Sequence, residues 1–426
     1  MRLETITQEA SAGAGQERLP EVSLESEFGD MLRLLRLVRP RTRPATPMFA
    51  MVALEFQGDT YLSASTYDYS LGRQVHIGQR NPDLPTHGLL VRASSLERAV
   101  RLLAKGKPKT DKVKIEQVWI LDLPKIFVKA DGYSLAVDVA IHSVEEVTHW
   151  RDTITSLGVT GRTANEAEAT WSAPELVGMF GRVKHAISKD ETIPALNAAQ
   201  LVWDSGRLRI LATDRYRLAR ATMGRAATDG AGGKFERLLR LTDWSLIAPI
   251  IKDEDELHVT AAADEVLVLT GENCMISVAC GVSGQYPKIN ALFDDRTLHT
   301  VVPKAEMLRA VVILGNLAER NRPIVLDHLG EGIRLSCDQD DIGQSQSPVI
   351  EAKGHNFGLS AINPHFLQDA LRALPGDKVR LSWADVPPEK MKPIMITNAD
   401  VPIKEQDTEF LIMPVRLPRP EPKLNV

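Results

Sequence analysis

"ILATDRYRLARA", residues 210–221, alternates apolar with small or polar side chains as far as Ala212, breaks at an Asp–Arg–Tyr–Arg run and turns apolar again. Alternation with a period of two is the mark of a strand with one face against a core. Asp214 can accept hydrogen bonds from the backbone just downstream and start a turn. The stretch therefore predicts strand, tight turn, strand. Arg215, Tyr216 and Arg217 crowd a ring and two guanidinium groups onto that turn, which taken alone reads as a well-solvated hairpin.

The rest of the chain repeats the plan. "VALEFQGDTYLSAS" (52–65), "AQLVWDSGRLRILAT" (199–213) and "IVLDHLGEGIRLSC" (324–337) are each an apolar strand, a short turn containing Gly and a second alternating strand. Their second strands align as Thr60/Leu62/Ala64, Leu208/Ile210/Ala212 and Ile333/Leu335/Cys337. Upstream of each lies a stretch with helical spacing of apolar residues: "EFGDMLRLLRLV" (27–38), "PELVGMFGRVKHAI" (174–187) and "PKAEMLRAVVILGNLAE" (303–319). Pro174 and Pro303 fall where a first-turn proline is tolerated. A second helix is predicted after each hairpin, over 94–106, 242–253 and 363–376, followed by more strands. The chain thus reads as an α+β protein of three tandem like domains of about 130 residues each. The expected boundaries are a polar extension over 1–20, domains over 21–166, 167–296 and 297–417, and a tail over 418–426.

With 426 residues and a net charge of −5, the protein has no global basic field, although a local basic face could still hold phosphates. Three cysteines, Cys274, Cys280 and Cys337, form no CxxC pair and suit a reducing compartment. There is no apolar run of the roughly 18 to 20 residues that a membrane span needs, and the N-terminus lacks a signal-peptide core; a cytoplasmic protein is expected, with no membrane partner. Enzyme motifs are missing: no GxxxxGK[ST], HExxH or GxSxG, and no Cys/His metal spacing. The acidic runs "DQDD" (338–341) and "KDEDE" (252–256) read as solvated turns. No catalytic residue, metal or cofactor is expected.

Four segments in the right order carry a resemblance: "RPATPMF" (43–49), "LATDRYRLA" (211–219), "SGQYPKINALF" (283–293) and "FLIMPVRLP" (410–418). On these the chain resembles the bacterial DNA polymerase III beta subunit, the replicative sliding clamp, over roughly residues 20–417. The resemblance implies the DNA clamp fold, with two three-domain chains joined head to tail in a six-domain ring, helices lining the lumen and sheets outside. Such a ring encircles double-stranded DNA without reading its sequence and confers processivity. Through a peptide cleft it would tether the DNA polymerase III alpha subunit, the clamp loader and repair proteins.

Carried over by position, the cleft comprises Leu196, Thr213, Arg215, Tyr216, Arg217, Leu218, Pro287, Leu292, Leu411, Ile412, Met413, Pro414, Val415, Arg416 and Leu417. Arginines at its rim are expected to meet peptide carbonyls or carboxylates. Phosphate contacts are expected from basic residues on or beside the inner helices: Arg33, Arg36, Arg39, Arg41, Arg43, Arg98, Arg101 and Lys105. Arg43 matches a DNA-contacting arginine of the family. The ring joint would use Tyr133 and Leu135 on one side and Ile313 and Leu314 on the other. Three departures stand out. Ala291 lies where the family often has an arginine, "RPEPKLNV" extends past the usual end, and "SASTYDYS" suggests a first repeat that has drifted from the family's Asp after the hairpin. A divergent paralogue or phage-type clamp with altered closure or partners is the alternative.

Overall fold

The computed structural model describes residues 22–41, 47–57, 60–68, 70–84, 87–120, 123–137, 165–204, 206–224, 234–262, 265–282, 284–293, 296–318, 322–339, 343–385 and 392–416. Two units emerge: residues 1–161 with 273–277, and residues 162–272 with 278–426.

The first unit runs β1 (Val22–Glu27), α1 (Phe28–Leu37), a 3-10 turn (Pro47–Ala50), β2 (Met51–Gln57), β3 (Tyr61–Tyr67), β4 (Leu71–Gly78), β5 (His87–Arg92), α2 (Ala93–Leu103), β6 (Lys112–Ile120), β7 (Leu123–Ala130) and β8 (Tyr133–Val137). Its strands line up as β1-β6-β7-β8 and as β5-β2-β3-β4. The two helices pack together. α1 buries Phe28, Met31, Leu34 and Leu35, and α2 buries Leu96, Ala99 and Val100, the three-and-four spacing of an amphipathic face.

The second unit repeats this order twice. First come β9 (Asn165–Ser172), α3 (Ala173–Val183), β10 (Ala198–Asp204), β11 (Arg207–Thr213), β12 (Arg217–Met223), β13 (Phe235–Arg240), α4 (Leu241–Ile251), β14 (Glu256–Ala262), β15 (Val266–Thr270) and β16 (Cys274–Ala279), of which residues 274–277 are counted with the first unit. Then follow β17 (Leu298–Pro303), α5 (Lys304–Leu317), β18 (Ile324–Leu329), β19 (Gly332–Gln339), β20 (Gly343–Gln346), the short β21 (Ile350–Glu351) and β22 (Lys353–Gly354), β23 (Leu359–Ile362), α6 (Pro364–Ala373), β24 (Lys378–Trp383), β25 (Ile394–Asn398) and β26 (Thr408–Ile412). Nine strands form one sheet in the order β13-β10-β11-β12-β26-β25-β24-β17-β22. Its middle joint, β12 against β26, ties the last two repeats into one body. The hairpin sheet of the third repeat, β20-β19-β18-β23, stands apart from it. Large side chains fill the core: Trp171 lies 5.9 Å from Trp203, and Phe180 stacks on Trp244 at 4.1 Å.

The predicted helices form within one to four residues of their expected ends. Ser172 caps α3 through the Glu175 amide, and Pro174 occupies its first turn, where no amide is needed. Pro303 differs from expectation: it is the cap residue of α5, outside the first turn. The hairpin glycines Gly206 and Gly330 take φ of 75° and 58°, the left-handed region that tight turns between these strands require.

Two features were not anticipated. A strand precedes the first helix of every repeat and pairs with the first strand after the second helix: β1 with β6, β9 with β14, β17 with β24. The polar stretch read as a boundary near residue 166 is the start of β9. The second concerns register. β3 runs to Tyr67, so Thr66, not Ala64, is the counterpart of Ala212, and Asp68 is the counterpart of Asp214. Asp68 Oδ1 accepts the amides of Ser70 (3.2 Å) and Leu71 (3.0 Å), as Asp214 Oδ1 accepts those of Tyr216 (3.1 Å) and Arg217 (3.0 Å). The first repeat therefore keeps its turn aspartate.

Candidate functional site

The turn that opens the sequence reading closes on itself through short-range bonds. Besides the two amides on Asp214, the Thr213 hydroxyl donates to the Arg217 carbonyl (2.9 Å) and accepts from the Arg215 amide (3.2 Å). Arg215 pays for this with a φ of 79°, a left-handed value disfavoured for an L-residue. Arg217 turns inward. It bonds Asp214 Oδ2 (2.9 Å), Asp369 Oδ2 (2.6 Å) and the His185 carbonyl, and lies over the Phe366 ring at 4.4 Å. It is a lock and not a rim reader. Burial, with the Arg217 charge behind it, pushes the His185 imidazole down to about 4.

The loop 284–293 packs against β10, β11, β12, β26 and β25 through Tyr286, Ile289 and Phe293. Pairing sets Thr213 beside Leu218, Leu218 beside Leu411 and Leu411 beside Met395, one row across four strands. Ile289 and Phe293 pack on this row with Val202 and Leu211, and Tyr286 closes the cluster, its hydroxyl donating to the Leu211 carbonyl at 3.2 Å. Arg220 lies 4.1 Å above the Phe293 ring and bonds Glu409 Oε2 at 2.6 Å. Beyond β26 the chain stays pinned: the Met413 amide donates to the Tyr216 carbonyl (2.9 Å) and the Val415 amide to that of Ala361 (2.8 Å).

The expected cleft residues thus separate into a floor and a rim. Leu196, Thr213, Leu218, Leu411 and Ile412 are buried; Met413 and Pro414 are half-buried; Arg215, Tyr216, Pro287, Leu292, Val415 and Arg416 are exposed. Leu417 lies outside the described residues. Tyr286, Ile289 and Phe293 hold the loop in place and were missed, although the aromatic residues of "QYPKINALF" were the available signal. The arrangement offers apolar side chains beside exposed cations, and among the described residues no group of three or more His, Cys, Asp or Glu is placed to hold a metal ion.

The expected phosphate-binding residues of the first unit lie on or just after two neighbouring helices. Arg33, Arg36, Arg98 and Lys105 are exposed. Arg39 and Arg101 both bond Glu97 Oε1, Arg101 Nε at 2.9 Å. Burial would raise the Glu97 pKa, but these two guanidinium groups outweigh it and hold the carboxyl below its usual range. Arg41 bonds Asp68 and the Ser70 hydroxyl (3.0 Å). Buried Arg73 fixes this exit from α1 by donating to the carbonyls of Leu37 (3.1 Å) and Arg39 (2.8 Å). Arg43 lies outside the described residues. Of the expected joint residues, Tyr133 and Ile313 are well exposed, Leu135 is half-buried, and Leu314 is buried within its own unit.

No family model matches the sequence. Curated relatives include a beta sliding clamp of Streptomyces coelicolor, 26% identical over 270 residues that cover 59% of this chain and 67% of that one. Another is the beta sliding clamp homolog GriR of Streptomyces muensis, 22% identical over 386 residues, 88% of this chain and 94% of that one. Among solved structures, a DnaN sliding clamp of Pseudomonas aeruginosa bound to griselimycin superposes with a TM-score of 0.76 at 16% identity, covering 93% of this chain and 99% of that one. A beta sliding clamp of C. crescentus does so with 0.75 at 18%, covering 93% and 100%. The fold is that of the DNA sliding clamps. Within that class the chain is a divergent relative of the beta sliding clamps.

Proposed function

We propose that the protein is a sliding clamp: a homodimeric ring around duplex DNA that tethers a replicative polymerase subunit, a clamp loader and repair proteins through the cleft, and does no chemistry of its own. The observation that carries the ring is the joint between β12 and β26. It pairs the third hairpin strand of one repeat with the last strand of the next. The same positions at the two ends of the chain are β20 and β8, each at the edge of its sheet with no further neighbour among the described residues. Repeating the joint between copies pairs β20 of one with β8 of the other. That contact is head to tail, and two of them close into a ring. Each three-repeat chain then supplies one domain per repeat, with bounds near 166 and 296. The exposed Arg33, Arg36, Arg98 and Lys105 would hold phosphates without reading bases, in the cytoplasm where DNA is replicated.

One observation favours the narrower reading of a paralogue with weakened closure. The β20 edge is "GQSQ", without an apolar side chain and exposed at Gly343, Gln344 and Gln346. Light scattering of the full chain at micromolar concentration decides between them. A mass near twice 47.0 kDa, with retention on nicked circular DNA that is lost when the circle is cut, is expected of the ring. A stable monomer that never stays on circular DNA would remove the ring.

A further inference from the structure

The rim of the cleft carries a charge pattern that the apolar floor does not explain. Among the described residues of 213–218, 284–293 and 411–416, the exposed cations are Arg215, Lys288 and Arg416, while the one carboxylate, Asp214, is committed to Arg217. Arg215 is the odd member. Its φ of 79° is a value at which Gly or Asn would sit at ease, yet the position holds a long cation whose side chain is half exposed beside the exposed ring of Tyr216, 6.0 Å away. A strained residue that keeps a large, solvent-facing side chain points to a use for that side chain.

Its present partner comes from outside the turn. Arg215 Nη2 donates to Asp190 Oδ2 at 3.2 Å, across an exposed ion pair. Asp190 is anchored independently: Oδ1 accepts the amide (3.0 Å) and hydroxyl (2.6 Å) of Thr192, and Asn197 braces the loop through the carbonyls of Ser188 and Asp190. Releasing Arg215 would leave the Asp190 loop in place. A single exposed contact of this kind is weak and readily exchanged.

We infer that Arg215 reads a carboxylate on the bound peptide, with Asp190 as its stand-in when the cleft is empty, so that the cleft selects apolar peptides flanked by Asp or Glu. The inference rests on the peptide-cleft reading and adds the chemistry that selects among peptides. On binding, the guanidinium swaps one carboxylate for another, and the positive rim left by Lys288 and Arg416 favours the same ligands. Arg215 is a specificity residue; the buried row from Thr213 to Met395 supports the anchor side chains.

The test is fluorescence anisotropy of the full-length protein with a labelled octapeptide that has Leu-Leu-Phe at its centre, flanked on both sides by Glu in one version and Gln in the other. The wild type is expected to bind the Glu version about fivefold more tightly at low salt, the scale of one exposed charge pair. Arg215→Gly is expected to lose most of that preference, keeping only the small share due to Lys288 and Arg416, and Asp190→Asn to bind the Glu version more tightly than the wild type does, because the internal competitor is gone. Equal binding of both versions by the wild type overturns the inference and leaves the cleft standing. Binding of neither version takes down the cleft reading and the inference with it.

Discussion

The joint between β12 and β26 and the free edges of β8 and β20 hold equivalent places in the repeated plan, but differ in what their side chains bring. In the joint, Leu218 faces Leu411, Ala219 faces Phe410 and Arg220 faces Glu409, all of low exposure. Arg182 adds a bond to Asp407 (2.8 Å), and Arg217 one to Asp369. On the edges, β8 carries the exposed Tyr133 and the half-buried Leu135, and β20 consists of Gly343, Gln344, Ser345 and Gln346. Backbone ladders are available to both. Cross-strand side-chain pairs, worth about 0.2–1 kcal/mol each, favour only the first. On the proposed ring, one plan would build a permanent joint inside the chain and a weaker one between chains, with side chains on a shared backbone pattern setting the difference.

The largest effect is expected where the permanent joint buries charge. Arg220 and Glu409 are little exposed, and Glu409→Ala strands a guanidinium beneath the Phe293 loop. Removing one partner of such a pair costs about 3–5 kcal/mol, whereas replacing both by apolar groups is close to neutral. Urea unfolding should show Glu409→Ala strongly destabilised and Arg220→Leu with Glu409→Leu recovering most of the loss. A double variant as unstable as the single one would mean that the polar contact is itself required, and that the joint differs from the free edges by more than apolar cover.

A second contrast is in pH. His185 sits under the joint, its ring 5.3 Å from Phe410 and its carbonyl on Arg217. Its folded value of about 4 lies below the ordinary value of about 6.5. The unfolded chain therefore binds the proton first, and stability falls as the pH drops from about 6.5 towards 4. At about 1.4 kcal/mol per unit the loss reaches at most about 3.5 kcal/mol. Arg217 and Lys184 oppose the protonated ring, and Asp369 and Asp214 partly offset them. His185→Gln should flatten this slope in denaturation measured from pH 7 to pH 5. A wild type without that slope would place the ring in a wetter site than the packing implies. The described edge residues of β8 and β20 carry no His or carboxylate, so the mass in solution should change less than the stability over the same range.

How far the sequence carried these features follows from where the information lies. The Asp214 turn was legible because an Asx turn is local, and the six helices because an amphipathic stripe repeats within one element. The strands β1, β9 and β17 were not. "NEAEATWS" alternates, but its exposed face is polar enough to read as a linker, and only pairing with β14 makes it a strand. The first repeat was misaligned by two residues, of which one comes from the turn: residues 58–60 separate β2 from β3 where 205–206 suffice between β10 and β11. A longer turn moves the whole register, and with it Asp68. The three segments expected to line a cleft were singled out through resemblance, and residues from each pack in one cluster. The division of labour between Arg215 and Arg217 was not: which guanidinium turns inward depends on Asp369 and Phe366, some 150 residues away.

The smallest effect is at the turn that leads into the joint, and it separates function from stability most cleanly. Arg215 holds a left-handed φ of 79°, whereas Gly343, at the start of β20, meets a φ of 98° as glycine. Relieving a left-handed L-residue gains about 1 kcal/mol, while the exposed bond to Asp190 contributes less than that. Arg215→Gly should therefore melt a few degrees higher than the wild type, by about 2–4 °C for a unit of this size, while losing most of its preference for acidic peptides. A variant that melts lower would assign the arginine a structural task, and the strain would then be the cost of holding the Asp190 loop. A variant that melts higher and prefers the acidic peptide as strongly as before would move the reading of that carboxylate to Lys288 or Arg416.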